Sequence, residues 1–358
     1  MTIIRLALLQ TAFLLAVLLF PNTIVAQQEL KPAINWLTFD QVLASYKENP
    51  KPLMVFFYKT NDDSSKLLLN TTFTRKEVCV YTNTKYYPVK IDINSKADIT
   101  FMDGKVYKKN PSKPFHDLAT LLLGENPEAP TVLLFDDQNT PYAFKGYKNY
   151  NDMLCQLVYV SENVQKTTRY NIWAPAYFRT FPPDKKANRI PLAINWLSLE
   201  EALKLNSKSP KGIFLTFFTK SSAASSVMLV NAFSHNQVAK YLDENFYCVR
   251  LDAQTLDTLI WDKEYYNSRR AGNYHDLAKI MMKDHMQFPS IFFFDPTNRL
   301  ILSENLYLSP EAMYMLSNYV VSESYKTKAF ADYIKTFKFE FQDIVPREFQ
   351  NASPAAKP

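Results

Sequence analysis

Glycine is nearly missing from this sequence, at 5 of 358 residues. So few cannot build the glycine-rich loops that cradle phosphates, and neither GxGxxG nor GxxxxGK[ST] occurs. Sulfur is equally scarce. The 3 cysteines, Cys79, Cys155 and Cys248, are an odd number, with no pair near enough for a Cys-x-x-Cys motif or a metal knuckle. Cys155 falls in the helical pattern NDMLCQLVYV and Cys248 in the apolar run FYCVRLD, so both read as small buried hydrophobes. An exported chain of this size that leaned on disulfides would carry more of them. No metal site and no cofactor are expected from this composition. An excess of one charge is lacking too: 41 basic residues face 35 acidic ones, interspersed rather than striped, which excludes a nucleic-acid surface.

What the chain has in quantity is apolar and aromatic, with 47% hydrophobic residues, 26 Phe and 22 Tyr. That is enough for sizeable cores, and at ~100–200 residues per domain the length predicts two of them. Residues 1–26 carry Arg5, an apolar run Leu6–Phe20, a Pro21–Asn22 break and a small residue at Ala26. This predicts a signal peptide cleaved before Gln27, and hence an exported protein, periplasmic or secreted, with no transmembrane segment after cleavage. No cysteine follows Ala26, so lipid attachment there is not expected.

The strongest organising signal is an internal repeat. AINWLTFDQVL at Ala33–Leu43 returns as AINWLSLEEAL at Ala193–Leu203, a shift of 160 residues that persists to Phe73 and Phe233. HDLA at His116–Ala119 returns at His275–Ala278, one residue short of that shift. So long a period means duplication of a whole domain and not a solenoid. The expected division is domain 1 over residues 27–171, a linker over 172–190, domain 2 over 191–341 and a disordered tail over 342–358. The linker rests on the three prolines and the DKKANR run of Trp173–Arg189, and the tail on NASPAAKP.

Each copy opens with a helix N-cap, Thr38 or Ser198, followed by a continuous apolar run, Leu53–Phe57 or Ile213–Phe218, of the kind buried on both faces of a sheet. The run delivers a short polar segment to the start of a second helix, in FYKTNDDSSKLLLNTTF (Phe57–Phe73) and FFTKSSAASSVMLVNAF (Phe217–Phe233). A strand follows, YYPVKID or FYCVRLD, then an insertion whose Asp103–Gly104 signals a hairpin in the first copy, then the HDLA helix and a strand–turn–strand–helix close. The set DGKVYKKN, HDLA and EAPTVLLFD, in this order of elements, resembles the exported bacterial thioredoxin family of the thioredoxin-7 type over nearly all of both copies. The resemblance implies an α/β fold: two tandem thioredoxin-like domains, each a three-layer unit with a central mixed sheet flanked by helices.

It also implies where a site would lie. The family's two cysteines map onto Asp62 and Ser65 in the first copy and onto Ser222 and Ser225 in the second, so both Cys-x-x-Cys pairs are gone. Its cis-proline maps onto Pro130 and Pro289, preceded by Ala129 and Phe288. In the family an extended peptide lies between these two segments, which makes Asp62, Ser65, Ala129, Pro130, Ser222, Ser225, Phe288 and Pro289 the expected binding surface. The polar residues among them are good helix caps in their own right. The second copy is the less polar, with Ala223, Ala224 and Phe288 against Asp63, Ser64 and Ala129, and is expected to be the better peptide binder. His116 and His275, each followed by an aspartate, are read as helix-opening structural residues. Tyr147, Tyr150, Tyr265, Tyr266 and Tyr274, in polar stretches, suit either a protein partner or the junction between the domains.

These residues predict a redox-inactive exported protein that binds a protein or peptide, or serves as a scaffold, in the bacterial envelope, and not an enzyme. Two other readings stand beside it. One is a thiol oxidoreductase working through a displaced cysteine, with Cys79 as the least buried of the three. The other is a structural component of an envelope assembly.

Overall fold

The computed structural model describes residues 32–183, 193–268, 274–283 and 285–338. The expected signal peptide and tail lie outside the described residues. The chain from Ala33 onward forms a single unit in which two modules repeat one order of elements.

The first module begins with α1 (Phe39–Tyr46), closed by a capping box in which Gln41 N donates to Thr38 Oγ1 at 3.3 Å and Thr38 N donates to Gln41 Oε1 at 2.9 Å. Then come β1 (Leu53–Tyr58), α2 (Asp63–Leu67), a π turn over Leu68–Thr72, α3 (Lys76–Lys85) and β2 (Tyr87–Asp92). The insertion is the hairpin β3 (Ile99–Thr100) and β4 (Val106–Tyr107), turning at Gly104 with φ +77°, as Asp103–Gly104 predicts. The module closes with α4 (Asp117–Leu123), β5 (Thr131–Phe135), β6 (Pro141–Lys145) and α5 (Tyr150–Ser161). Its sheet runs β2-β1-β5-β6, with β1 parallel to β2 and antiparallel to β5. A central strand needs apolar residues on both faces, which is why LMVFFY does not alternate: its first five residues are all buried.

A helix, α6 (Tyr170–Thr180), comes next. This corrects the linker expected from residue 172, because the prolines there do not prevent a helix. Pro175 sits inside it, while Trp173, Ala176 and Tyr177, at helical spacing, are buried. Residues 184–190 of the expected linker lie outside the described residues.

The second module follows with β7 (Trp196–Leu197), α7 (Leu199–Lys208), β8 (Ile213–Phe218), α8 (Ala223–Asn231), α9 (Asn236–Asn245) and β9 (Tyr247–Asp252). A hairpin, β10 (Leu259–Trp261) and β11 (Glu264–Tyr266), precedes α10 (Asp276–Met282), β12 (Ser290–Phe294), β13 (Leu300–Glu304), α11 (Pro310–Val321) and α12 (Phe330–Thr336). Its sheet order, β13-β12-β8-β9-β7, mirrors that of the first module, where a single bridge between Leu37 and Val89 stands in for β7. The hairpin turns without glycine: Asp262 and Lys263 take φ +50° and +68°, which is why the sequence signals a hairpin only in the first copy.

Packing joins the modules. One sheet face of each carries its own cluster, around Phe39, Val55 and Phe57 or around Leu199, Leu215 and Phe292. The other faces share a continuous apolar cluster that runs from Phe56 and Leu134 through Met153 and Trp173 to Phe214 and Phe293. Trp173 is fully buried and meets the equally buried Tyr307 edge-on at 5.1 Å.

Candidate functional site

In the first module, β1 delivers the chain to α2, and the carboxylate of Asp62 caps that helix, accepting from Ser65 N at 2.6 Å. Ser65 is buried, its Oγ accepting from Lys59 N at 3.3 Å. Asp63 and Ser64 face solvent, with Asp63 3.7 Å from Lys66, and Leu67 beside them is 47% exposed. Opposite lies the cis peptide bond Ala129–Pro130, with Ala129 half-buried. This face is open, and its outward residues mix charges of both signs, Asp63 with Lys59 and Lys66, around the apolar Leu67.

The second module has the same geometry with a different occupant. Ser222 caps α8, its Oγ accepting from Ser225 N at 3.0 Å, and the bond Phe288–Pro289 is cis. Here the helix N-terminus holds the carboxylate of Glu162, which follows the last turn of α5 in the first module. Glu162 Oε2 accepts from Ser222 Oγ and from Ala224 N, both at 2.8 Å, and Oε1 accepts from Ala223 N at 3.2 Å. Tyr81 OH, from α3, donates to Oε1 at 2.9 Å, and burial together with the Glu162 charge pushes its pKa well above the ordinary tyrosine value. The next residue, Asn163, donates from Nδ2 to Gln287 Oε1 at 3.0 Å and so lies along the segment that leads to the cis-proline. A helix N-terminus, with free amide hydrogens and a positive dipole end, is a natural anion site, and here the chain fills it itself.

This corrects the expected ranking of the two surfaces. Ser222, Ser225 and Phe288 are at most 7% exposed, and the strip an extended peptide would take is occupied by Glu162 and Asn163. Composition favours the second face because it is apolar, and it is apolar because it is buried. Glu162 is the residue that sequence reasoning missed. A hint lies in the repeat, since the equivalent position at the end of α11 is Ser322, so a carboxylate at this point is particular to the first copy.

The other sequence-marked residues are structural in geometry. His116 and His275 are fully buried N-caps; Nδ1 accepts from Leu118 N at 3.1 Å and Leu277 N at 3.2 Å, while Nε2 reaches Ala97 O and Asp257 O, both at 3.0 Å. Each ring thus ties a helix start to the insertion before it. Cys79 is the least buried of the three thiols, as expected, but at 2% exposed it is still enclosed, with Sγ 3.2 Å from Phe73 O. Burial raises its pKa, takes Cys155 to about 12 and takes Cys248 well above the ordinary thiol value. Of the marked tyrosines, Tyr274 packs its ring at a tilt against Phe288, with centroids 5.4 Å apart, whereas Tyr265 is 69% exposed. Among the described residues no group of three or more His, Cys, Asp or Glu is placed to hold a metal ion. No helix among them is long and apolar enough to cross a membrane.

Residues 39–161 match the family described as a thioredoxin-like domain. That match and the sheet order make this segment a thioredoxin-like domain within a mixed α/β chain. No curated protein matches the chain. Solved structures similar to it include a thioredoxin-fold protein from Helicobacter pylori, at 16% identity over 36% of this chain and 84% of that one, with a TM-score of 0.30. A protein from Bacteroides thetaiotaomicron described as a candidate disulphide-isomerase matches at 17% identity over 37% and 94%, with a TM-score of 0.27. An alkylhydroperoxide reductase component from Enterococcus faecalis matches at 12% identity over 78% and 95%, with a TM-score of 0.22.

Proposed function

We propose that the chain is an exported, redox-inactive pair of duplicated thioredoxin-like domains of the thioredoxin-7 type, acting as a protein- or peptide-binding scaffold in the bacterial envelope. The first module carries the binding face, formed by Asp62, Ser65, Ala129 and Pro130. The second module's face, with Ser222, Ser225, Phe288 and Pro289, serves as an internal socket that locks the two modules together. The observation that carries this reading is the carboxylate of Glu162, seated at the helix N-terminus where the resemblance places a reactive thiol. A site so filled has become part of the fold, which leaves the first face as the one able to receive an extended segment. Exposed Leu67 beside the Asp63–Lys66 pair favours a partner whose extended segment carries an apolar residue.

Three buried thiols with raised pKa values disfavour thiol exchange through a displaced cysteine. Insulin reduction by the purified protein tests the redox part: no turnover is expected, and turnover that survives Ser at positions 79, 155 and 248 would refute it. For the binding part, a photo-crosslinking residue at position 63 should capture a discrete partner in envelope preparations, while one at exposed Ile334, on α12, should not. Equal capture from both positions would dispose of the first face as the binding surface.

A further inference from the structure

Behind the second module's socket lies a cavity of about 220 Å³, lined by Thr216, Ser225, Met228, Phe233, Arg250 and Pro289 among others. In the first module the matching volume is taken by Phe56, which stands where the second has Thr216 and packs fully buried against Trp36, Tyr58 and Phe73 at 5.9, 5.7 and 5.0 Å. Thr216 is too short to fill that space, and its hydroxyl is turned to Ser290 O at 3.0 Å.

Two polar groups at this cavity lack acceptors or donors that their counterparts have or do not need. Ser225 is 5% exposed and its Oγ has no hydrogen-bond partner, whereas Ser65 in the first module accepts from Lys59 N. Arg250, on β9 beside Thr216, holds its guanidinium 5.1 Å from the ring of Phe218 and 5.8 Å from that of Trp196. Among the described residues no carboxylate pairs with it, and burial lowers its pKa. The matching residue in the first module is the exposed Lys90. Half-burying a guanidinium without an acceptor is costly, as is leaving a buried hydroxyl unmatched. Lys220 at the rim is largely exposed and offset by Asp252 at 3.7 Å, which leaves Arg250, among the described residues, as the lining cation without a carboxylate. Of the remaining lining residues, Phe218, Met228, Leu229, Phe233 and Pro289 are apolar, while Thr219 and Ser226 add two hydroxyls.

We propose that this cavity binds a small free carboxylic acid with a compact apolar body, such as an arylacetic or short branched-chain acid. Its carboxylate would sit on Arg250 and Ser225 Oγ and its apolar end on Met228 and Phe233. A planar guanidinium with an adjacent hydroxyl suits a carboxylate, and the volume is below the roughly 300–1,000 Å³ of pockets for larger ligands. The inference stands apart from the peptide face of the first module and survives if that face binds nothing.

Calorimetric titration of the full chain with phenylacetate and with isovalerate tests it, phenylacetamide being the neutral control. At least one acid should bind saturably at one per chain, and the amide should not. Thr216→Phe, which copies the first module, should retain the thermal midpoint and lose binding by about 100-fold, since the ring would occupy the cavity. Arg250→Leu should weaken binding by about 10–100-fold and Ser225→Ala by several-fold, as expected for hydrogen bonds to a charged group. The proposal is overturned if neither acid saturates by about 10 mM, a dissociation constant too weak to be specific. It is also overturned if the amide binds as well as the acid, if Thr216→Phe binds undiminished, or if a capped tripeptide ending in Phe binds where the free acids do not.

Discussion

The carboxylate of Glu162 ties the end of a helix in the first module to the helix N-terminus of the second. Glu162 takes two backbone N–H groups, a serine hydroxyl and a tyrosine hydroxyl, each a charge-assisted bond in a place water barely reaches. Hydrogen bonds to charged groups contribute about 1.5–3 kcal/mol, and removing one partner leaves the others unmatched. Glu162→Ala should therefore lower unfolding stability by about 2–4 kcal/mol in urea titrations. Glu162→Gln should cost about half as much, because its carbonyl still accepts while its NH₂ faces a backbone donor. A loss under about 0.5 kcal/mol for the alanine variant would mean that the pairing is incidental. The cysteines give a second check at this scale. Buried thiols with raised pKa values are poor nucleophiles, so a thiol reagent at neutral pH should modify Cys79, Cys155 and Cys248 only as fast as the protein unfolds, and all three promptly in denaturant. Rapid labelling of one thiol in the native protein would reopen the oxidoreductase reading.

Among the elements, α6 decides how the halves are held. Trp173 packs on Tyr307, Thr167 Oγ1 donates to Tyr307 O, and Arg179 donates to Asn231 Oδ1 at 3.2 Å, so the helix and the turn before it clasp the second module. Trp173→Ala removes the largest fully buried side chain and should cost about 3–5 kcal/mol, as large-to-small changes in a core do. The same substitution should turn one unfolding transition into two in a calorimeter, since it severs the apolar cluster where the modules share it. A variant that unfolds in one step with its midpoint unmoved would show that α6 does not couple them. The two pseudo-site helices differ as well: α8 is continuous, whereas α2 passes into a π turn in which Thr71 Oγ1 donates to Leu67 O at 2.7 Å, the back-bonding that loosens a helix. The first face thus sits on the less regular of the two supports.

Across the whole molecule, the two modules share one order of elements and differ in what their faces meet. Both modules keep the strand order, the helix-capping serine or aspartate and the cis-proline, yet one face looks outward and the other inward. Substitutions at the residues before the two prolines should separate these roles. Ala129→Asp should weaken partner capture at least tenfold, because it sets a charge against the partner's apolar residue, at a cost of about 1–2 kcal/mol in stability, since Ala129 is half-buried against the first module's core. Phe288→Asp buries an unpaired charge beside Tyr274 and should cost several kcal/mol, while capture by the protein that still folds is unchanged. The reverse pattern would return the binding role to the second module.

Much of this was legible in the residues alone. Continuous apolar runs such as Leu53–Phe57 read as central strands, Thr38–Gln41 and Ser198–Glu201 write their own helix starts, and a 160-residue echo marks a second copy of the pattern. Those are local statements of burial and capping, and local chemistry decides them. What tertiary structure alone decided is which surfaces remain surfaces. Ala223, Ala224 and Phe288 look like an apolar binding face until the end of a helix about sixty residues before the two alanines is folded against them. Pro175 and its neighbours look like a tether until Trp173 finds Tyr307. The partner in each case is remote in sequence, and no periodicity or composition encodes a contact between segments that only the packing of two modules brings together.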